Sequence, residues 1–183
     1  MLKRSEKREV LVLDTSAFIA GFEPLSVKAS QYSVPEVRKE LAANSLSRTR
    51  FNAAVENGLL KVKAPAAKYK KRIRASSKVA GDMRFLSEAD EQVLALAMEL
   101  KEKGYTPHIV TDDYAIQNVA DQLGIEFTSL ITFGIRYRFR WVLYCPACHQ
   151  RYPADYSSAC CNVCGTKLKR KPFRKTPINR MKQ

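Results

Sequence analysis

Apolar and polar positions along the first 130 residues switch repeatedly between strand and helix periods. Val10, Leu11, Val12 and Leu13 form a continuous apolar run, the pattern of a strand buried on both faces of a parallel sheet, and the run ends at Asp14. "YSVPEVRKEL" reads as a helix with Ser33 as N-cap and Pro35 in its first turn, and residues 47 to 57 as a helix stopped by Gly58. A short apolar strand, "LLKVKA", follows. In "LSEADEQVLALAMELKEKG", Val93, Leu94, Leu96, Ala97 and Leu100 recur at helical spacing, and Gly104 supplies the stop. "HIVTDDYAIQNVADQLGIEF" then repeats strand, acidic corner, helix and glycine. Such a βαβ series with right-handed crossovers predicts an α/β fold, a mostly parallel sheet flanked by helices on both faces.

Two stretches break the pattern. Residues 65 to 85 carry seven basic residues against one acid and few core-sized apolar groups, and read as a solvated or mobile loop. From Thr166 to Gln183 there are eight basic residues and no acid, the composition of a tail that orders only on meeting a polyanionic surface. The whole chain has 32 Lys and Arg against 18 Asp and Glu, a formal charge of +14, so a polyanion is the expected partner, nucleic acid before an anionic membrane. No segment approaches the ~20 apolar residues needed to span a bilayer. The start "MLKRSEKREV" lacks a signal-peptide pattern, and a cytoplasmic location is expected.

In a parallel sheet, ligands gather beyond the carboxyl ends of the strands, where Asp14 and the pair Asp112 and Asp113 are expected. Glu40 and Asp90 can join them from helix starts. Each acid has a plainer role: Asp14, Asp112 or Asp113 can cap a helix, Asp90 fits a capping box begun by Ser87, and Glu40 can be an exposed helix acid. Four of them at successive element ends change the balance. Carboxylates in one cleft repel one another without cations, and oxygen-only ligands suit Mg²⁺ or Mn²⁺, one or two of which can activate water against a phosphodiester. His108 and His149 are not needed as bases and read as structural.

All five cysteines lie between residues 145 and 164. Cys145 and Cys148, then Cys161 and Cys164, form two C-x-x-C knuckles separated by twelve residues, a strong signal for one tetrahedral, structural Zn²⁺ in a small ribbon. Cys160 is a spare thiol. Before the ribbon, "RYRFRWVLY" alternates Arg136, Arg138 and Arg140 with Tyr137, Phe139 and Trp141. The arginines are candidate phosphate contacts and the aromatics candidate core. Lys70, Lys71 and Arg72 in the basic loop are further candidates for binding nucleic acid. The expected division is an α/β domain at 1–130, a connecting segment at 131–143, the zinc ribbon at 144–168 and the basic tail at 169–183.

"VLVLDTSAFI", "VPEVRKEL", "LSEADEQVLALA" and "IVTDDYAIQNVA" together resemble the four acidic blocks of PIN-domain nucleases, in order and across residues 9 to 130. The resemblance implies a three-layer PIN-like fold and places the acidic ligands at Asp14, Glu40, Asp90 and Asp113, with Asp112 ranked lower. Ser16 and Thr111 look like the supporting hydroxyls, and Asn118 like a weaker neighbour. With its ribbon and basic tail, the chain is similar over nearly its full length to the Nob family of endonucleases. That resemblance implies single-stranded RNA as substrate, the 3′ end of the small-subunit ribosomal RNA precursor as target, and a pre-ribosomal particle as partner. Two alternatives stand beside it: another PIN-type ribonuclease, and a non-catalytic RNA-binding assembly factor whose acids only cap helices.

Overall fold

A computed structural model of the chain describes residues 8–80, 86–131 and 137–177. Five short strands, β1 (Arg8–Leu13), β2 (Ser30–Ser33), β3 (Leu60–Val62), β4 (Tyr105–Val110) and β5 (Glu126–Thr128), form a fully parallel sheet in the order β3-β2-β1-β4-β5. The helices are α1 (Thr15–Ile19), α2 (Pro35–Glu40), α3 (Leu46–Glu56), α4 (Ala67–Ala80), α5 (Glu88–Glu102) and α6 (Tyr114–Gln122). Val10, Val12, Leu13, Ile109 and Val110 of the two central strands are buried together with Phe18, Phe51, Leu94, Leu96 and Ile116 from the helices. Among the described residues no helix is long and apolar enough to cross a membrane.

Helix α5 is the hub of this core. Ser87 caps it in a reciprocal capping box with Asp90, and every residue from Ala89 to Leu100 is buried. A helix buried on all sides must satisfy its polar groups internally. Residues 65 to 85, expected as a loop, provide the partners, for most of that stretch is α4, packed along α5. Tyr69 and Ile73, one turn apart, bury its apolar side, while Arg74 pairs with Glu91 at 2.8 Å, Lys70 with Glu88 at 3.7 Å, and Arg72 with Glu102. The buried Glu99 accepts from Lys63 and Lys103, both at 2.5 Å, and from the Ala66 amide at 2.9 Å.

The start of α2 also differs from expectation. Val34, not Ser33, is the N-cap, because Ser33 closes β2 and its hydroxyl donates to the Leu13 carbonyl at 2.8 Å; Pro35 keeps its place in the first turn. Because α2 has only six residues and Glu40 is its last, Glu40 sits at the carboxyl end of the helix rather than near its start.

A second, antiparallel sheet of order β7-β6-β8 is built from β6 (Tyr137–Tyr144), β7 (Arg151–Tyr152) and β8 (Lys169–Pro177). The segment expected as a connection is thus mostly a central strand, and the first nine residues of the expected disordered tail are its partner. Pro172 and the exposed Phe173 mark a register shift opposite Arg140 and Trp141, a defect that an edge strand such as β8 accommodates. On this sheet Arg170 stacks over Trp141 at 3.8 Å, and Lys171 lies 5.7 Å from the Tyr144 ring. The cysteine knuckles form a separate small core with Leu143, Tyr152, Tyr156 and Leu168, and β6 also packs against α4 and α6.

Candidate active site

Strands β1 and β4 are neighbours, but the chain leaves β1 toward β2 and β4 toward β5, so a crevice opens beyond their carboxyl ends. Asp14 lies there, 2% exposed, as the N-cap of α1. Its Oδ2 accepts from the Ser16 amide at 3.3 Å, the Ser16 hydroxyl at 2.7 Å and the Thr111 hydroxyl at 2.9 Å. Each of those hydroxyl oxygens also accepts a backbone amide, from Asp112 at 2.9 Å and Asp113 at 3.0 Å, which directs its proton toward Asp14. Gln117 fixes the same corner by donating to the Thr111 carbonyl at 2.9 Å. Asp14 Oδ1 is buried with no hydrogen-bond partner. Burial pushes the Asp14 carboxyl above its ordinary range, against the lowering pull of Ser16 and Thr111.

The other acids come to the same crevice from different elements. Asp90 Oδ2 accepts from the Ser87 amide at 2.7 Å, and Asp113 Oδ1 accepts from the Ala115 and Ile116 amides at 2.5 and 3.4 Å. Burial first, and then the charges of Asp14 and Asp113, push Asp90 up to about 6. Glu40 is bound by two hydroxyls, Thr15 to Oε2 at 2.5 Å and Ser87 to Oε1 at 3.1 Å. The fold thus ties Glu40 to both the β1 corner and the start of α5. One oxygen of Asp112 is engaged elsewhere. Its Oδ1 accepts from the Ser129 hydroxyl and from the Leu130 and Ile131 amides, anchoring the segment after β5. Asn118 is buried on α6.

The three aspartates do cap helices, as the plainer reading expected. Capping uses one oxygen of each, Oδ2 of Asp14 and Asp90 and Oδ1 of Asp113, so capping and coordination are compatible. The amino ends of α5 and α6 also point positive partial charge at the acids. A like-charged group with a buried oxygen that accepts no hydrogen bond could serve as a donor set for a hard divalent cation. PIN nucleases are generally dependent on divalent metal.

The raised Asp14 and Asp90 carboxyls predict a pH-dependent effect of metal. For Asp90, the stability contributed in the metal-free chain is fully present below its ordinary value of 3.8 and lost as pH rises through about 6; Asp14 acts in the same direction. A cation binds the ionised forms and offsets that loss. Adding Mn²⁺ should therefore raise the melting temperature more at pH 7.5 than at pH 5, and equal shifts at both pH values would count against the site.

Among the described residues, Cys145, Cys148, Cys161 and Cys164 have sulfurs that all lie within 4.8 Å of one another. Cys145 and Cys164 are 3.4 Å apart, and Cys148 and Cys161 3.5 Å. Amides turn inward as the knuckles require: Cys148 N–H reaches Cys145 Sγ and Val163 N–H reaches Cys161 Sγ, both at 3.4 Å. Burial pushes the Cys161 thiol up, but the Tyr152 hydroxyl and the Cys164 and Val163 amides outweigh it and bring it down to about 6, favouring the thiolate a metal needs. The group can hold a metal ion. Cys160 stays outside it, exposed and bridged to Lys167. The two knuckles close on left-handed residues, Gly165 at φ 72° and His149 at φ 63°.

Of the RNA-binding candidates, Lys70 and Arg72 are engaged with Glu88 and Glu102, while Lys71 is exposed on α4. Arg136 lies outside the described residues, and of Arg138 and Arg140 only the strand backbone is described. Thr15 and Ser87 are site residues that the sequence reading missed. They contact a glutamate 25 and 47 residues away, and no local pattern announces such a pairing.

A family profile described as the PIN domain of ribonuclease matches residues 11–100. The chain is 38% identical to Endoribonuclease Nob1 of Methanocaldococcus jannaschii, over 92% of this chain and 80% of that protein. It is 36% identical to Endoribonuclease Nob1 of Methanothermobacter thermautotrophicus, over 89% and 93%. Ribonuclease VapC1 of Thermoplasma acidophilum is 32% identical over 88% of this chain and 77% of its own. Similarity over 92% of the chain cannot stop at the parallel sheet, which ends near residue 131; it must reach into the cysteine module as well. The chain belongs to the Nob1 family of PIN-domain endoribonucleases.

Proposed function

We propose that this protein hydrolyses a phosphodiester of single-stranded RNA with Mg²⁺ or Mn²⁺ held by Asp14, Glu40, Asp90 and Asp113. The target is the 3′ end of the small-subunit ribosomal RNA precursor, met in the cytoplasm on a pre-ribosomal particle, and Zn²⁺ at the four cysteines is structural. The observation that carries the catalytic part is Asp14, whose Oδ2 is saturated by oriented hydroxyls while its buried Oδ1 has no partner. The names of the relatives and the family resemblance support the RNA target.

When bound there, divalent ions supply the charge that makes a water nucleophilic and receives the leaving oxygen. The chain's own residues do the rest. Ser16 and Thr111 hold Asp14 in one rotamer, Asp113 is held by the first turn of α6, and Glu40 is held between two elements. The negative crevice repels RNA phosphates, so basic groups elsewhere must bind the strand and bring it in. The β6–β8 sheet and ribbon carry Arg151, Lys167, Lys169, Arg170 and Lys171, outside the nuclease core. A single strand can be threaded into the crevice more readily than a duplex.

The test is cleavage of a precursor RNA spanning the mature 3′ end, with and without chelator. One metal-dependent cut at the mature end is expected; no cut, or cuts spread along the strand, would overturn the proposed target. Binding should divide the labour. A chain ending at Ile131 lacks the whole second sheet, unlike a cut at residue 144, which would leave β6 without β8. It should bind RNA more weakly, with a slope of log affinity against log salt flatter by ~0.7 for each phosphate it no longer neutralises. Equal slopes for the two proteins would remove the second sheet from RNA binding.

A further inference from the structure

Ser87 occupies an unusual junction. Its hydroxyl oxygen accepts the Asp90 amide at 3.2 Å, its own amide donates to Asp90 Oδ2 at 2.7 Å, and its hydroxyl proton points to Glu40 Oε1 at 3.1 Å. The capping box alone requires only the first two of these. The third joins the amino end of α5 to the carboxyl end of α2, and it meets Glu40 opposite Thr15, which binds Oε2 at 2.5 Å.

Glu40 needs such a restraint. It ends a helix of only six residues, and it lies at an exposed position where a glutamate side chain keeps most of its rotamers. Asp14, by contrast, is fixed by burial and two hydroxyls. Without its contacts Glu40 would reach the crevice only part of the time, and a ligand present part of the time binds a cation correspondingly less well. Groups that orient ligands in this way matter for metal sites nearly as much as the ligands.

We propose that Ser87 is a positioning residue that holds Glu40 and Asp90 as one unit, its hydroxyl aiming the glutamate and its amide the aspartate, with Thr15 bracing Glu40 from the β1 side. The inference rests on the divalent-metal reading of the acidic crevice. It adds to that reading a single residue through which two acids, 50 positions apart in sequence, are set together. In this arrangement the start of α5 carries both a ligand and the clamp for another.

The experiment compares the full-length chain with Ser87→Gly and Ser87→Thr. Glycine is well tolerated at an N-cap but cannot donate to Glu40, whereas threonine keeps both the cap and the donor. Mn²⁺ alone is titrated into each protein without RNA, and cleavage is then measured as kcat and KM for RNA. Ser87→Gly should weaken Mn²⁺ binding by about ten-fold or more and lower kcat, leaving KM for RNA unchanged, and Ser87→Thr should restore both. In a Glu40→Gln background the Ser87→Gly change should have little further effect, since the group it positions is gone. Unchanged Mn²⁺ binding by Ser87→Gly, failure of threonine to restore it, or full additivity with Glu40→Gln would overturn the positioning role. A parent chain that neither binds Mn²⁺ nor cleaves RNA would instead overturn the metal-dependent reading, and the positioning role with it.

Discussion

Asp14→Asn should abolish cleavage while leaving RNA affinity within about two-fold of the parent, because the basic second sheet is untouched. The hydrogen-bond network says why an isosteric change is so damaging. Ser16 and Thr111 both present protons to Oδ2, so the asparagine oxygen takes that place and its NH₂ is forced into the position of the unpartnered Oδ1. A donor then points where a cation needs a lone pair. Loss of the several kcal/mol that a metal centre supplies to a phosphodiester transition state corresponds to ~10³-fold or more in kcat. The metal-free variant should also melt higher than the metal-free parent, since a buried charge among like charges is gone. Normal cleavage by Asp14→Asn, in a preparation shown free of other nucleases, would remove Asp14 from the reaction.

Much of this crevice was legible from sequence because the acids stand at element ends, and element ends show as changes of period. The apolar run Val10–Leu13 and the helical recurrence from Val93 to Leu100 are driven by burial, which composition records directly. What escaped was held together by long-range polar contacts. Helix α4 buries only Tyr69 and Ile73 among its described side chains, and its remaining partners are acids on α5, so its sequence looks like solvated charge. Strand β8 reads as disorder, being rich in lysine and interrupted by Pro172. It is a strand because β6 lies opposite it. The Ser33 cap failed for a related reason: its hydroxyl was already committed to Leu13 on the neighbouring strand.

The cysteine cluster supports the second large effect. Cys145→Ser should release the ribbon metal and unfold residues 145–168 while the parallel-sheet domain stays folded. The ribbon's buried core is Cys145, Tyr152 and Cys161 with a few flanking side chains, and it shares no residue with the nuclease core. So small a core cannot meet the entropy of ordering some twenty residues without the ~10–16 kcal/mol that zinc-finger peptides draw from Zn²⁺ at neutral pH. Amide exchange should show protection lost around both knuckles and retained in β1 and β4. Metal analysis should give one zinc for the parent and for Cys160→Ser, and none for Cys145→Ser. Exchange that stays slow in the ribbon of metal-free Cys145→Ser would show that the module is held by packing instead.

The two knuckles are near copies closed by different residues, and that difference makes their conformational costs unequal. The turn after Cys164 uses Gly165, which enters the left-handed region without steric cost, whereas the turn after Cys148 forces His149 into the same region at φ 63°. The Cys145–Cys148 knuckle therefore carries the larger conformational cost of closing around an ion, and the Cys161–Cys164 knuckle the smaller.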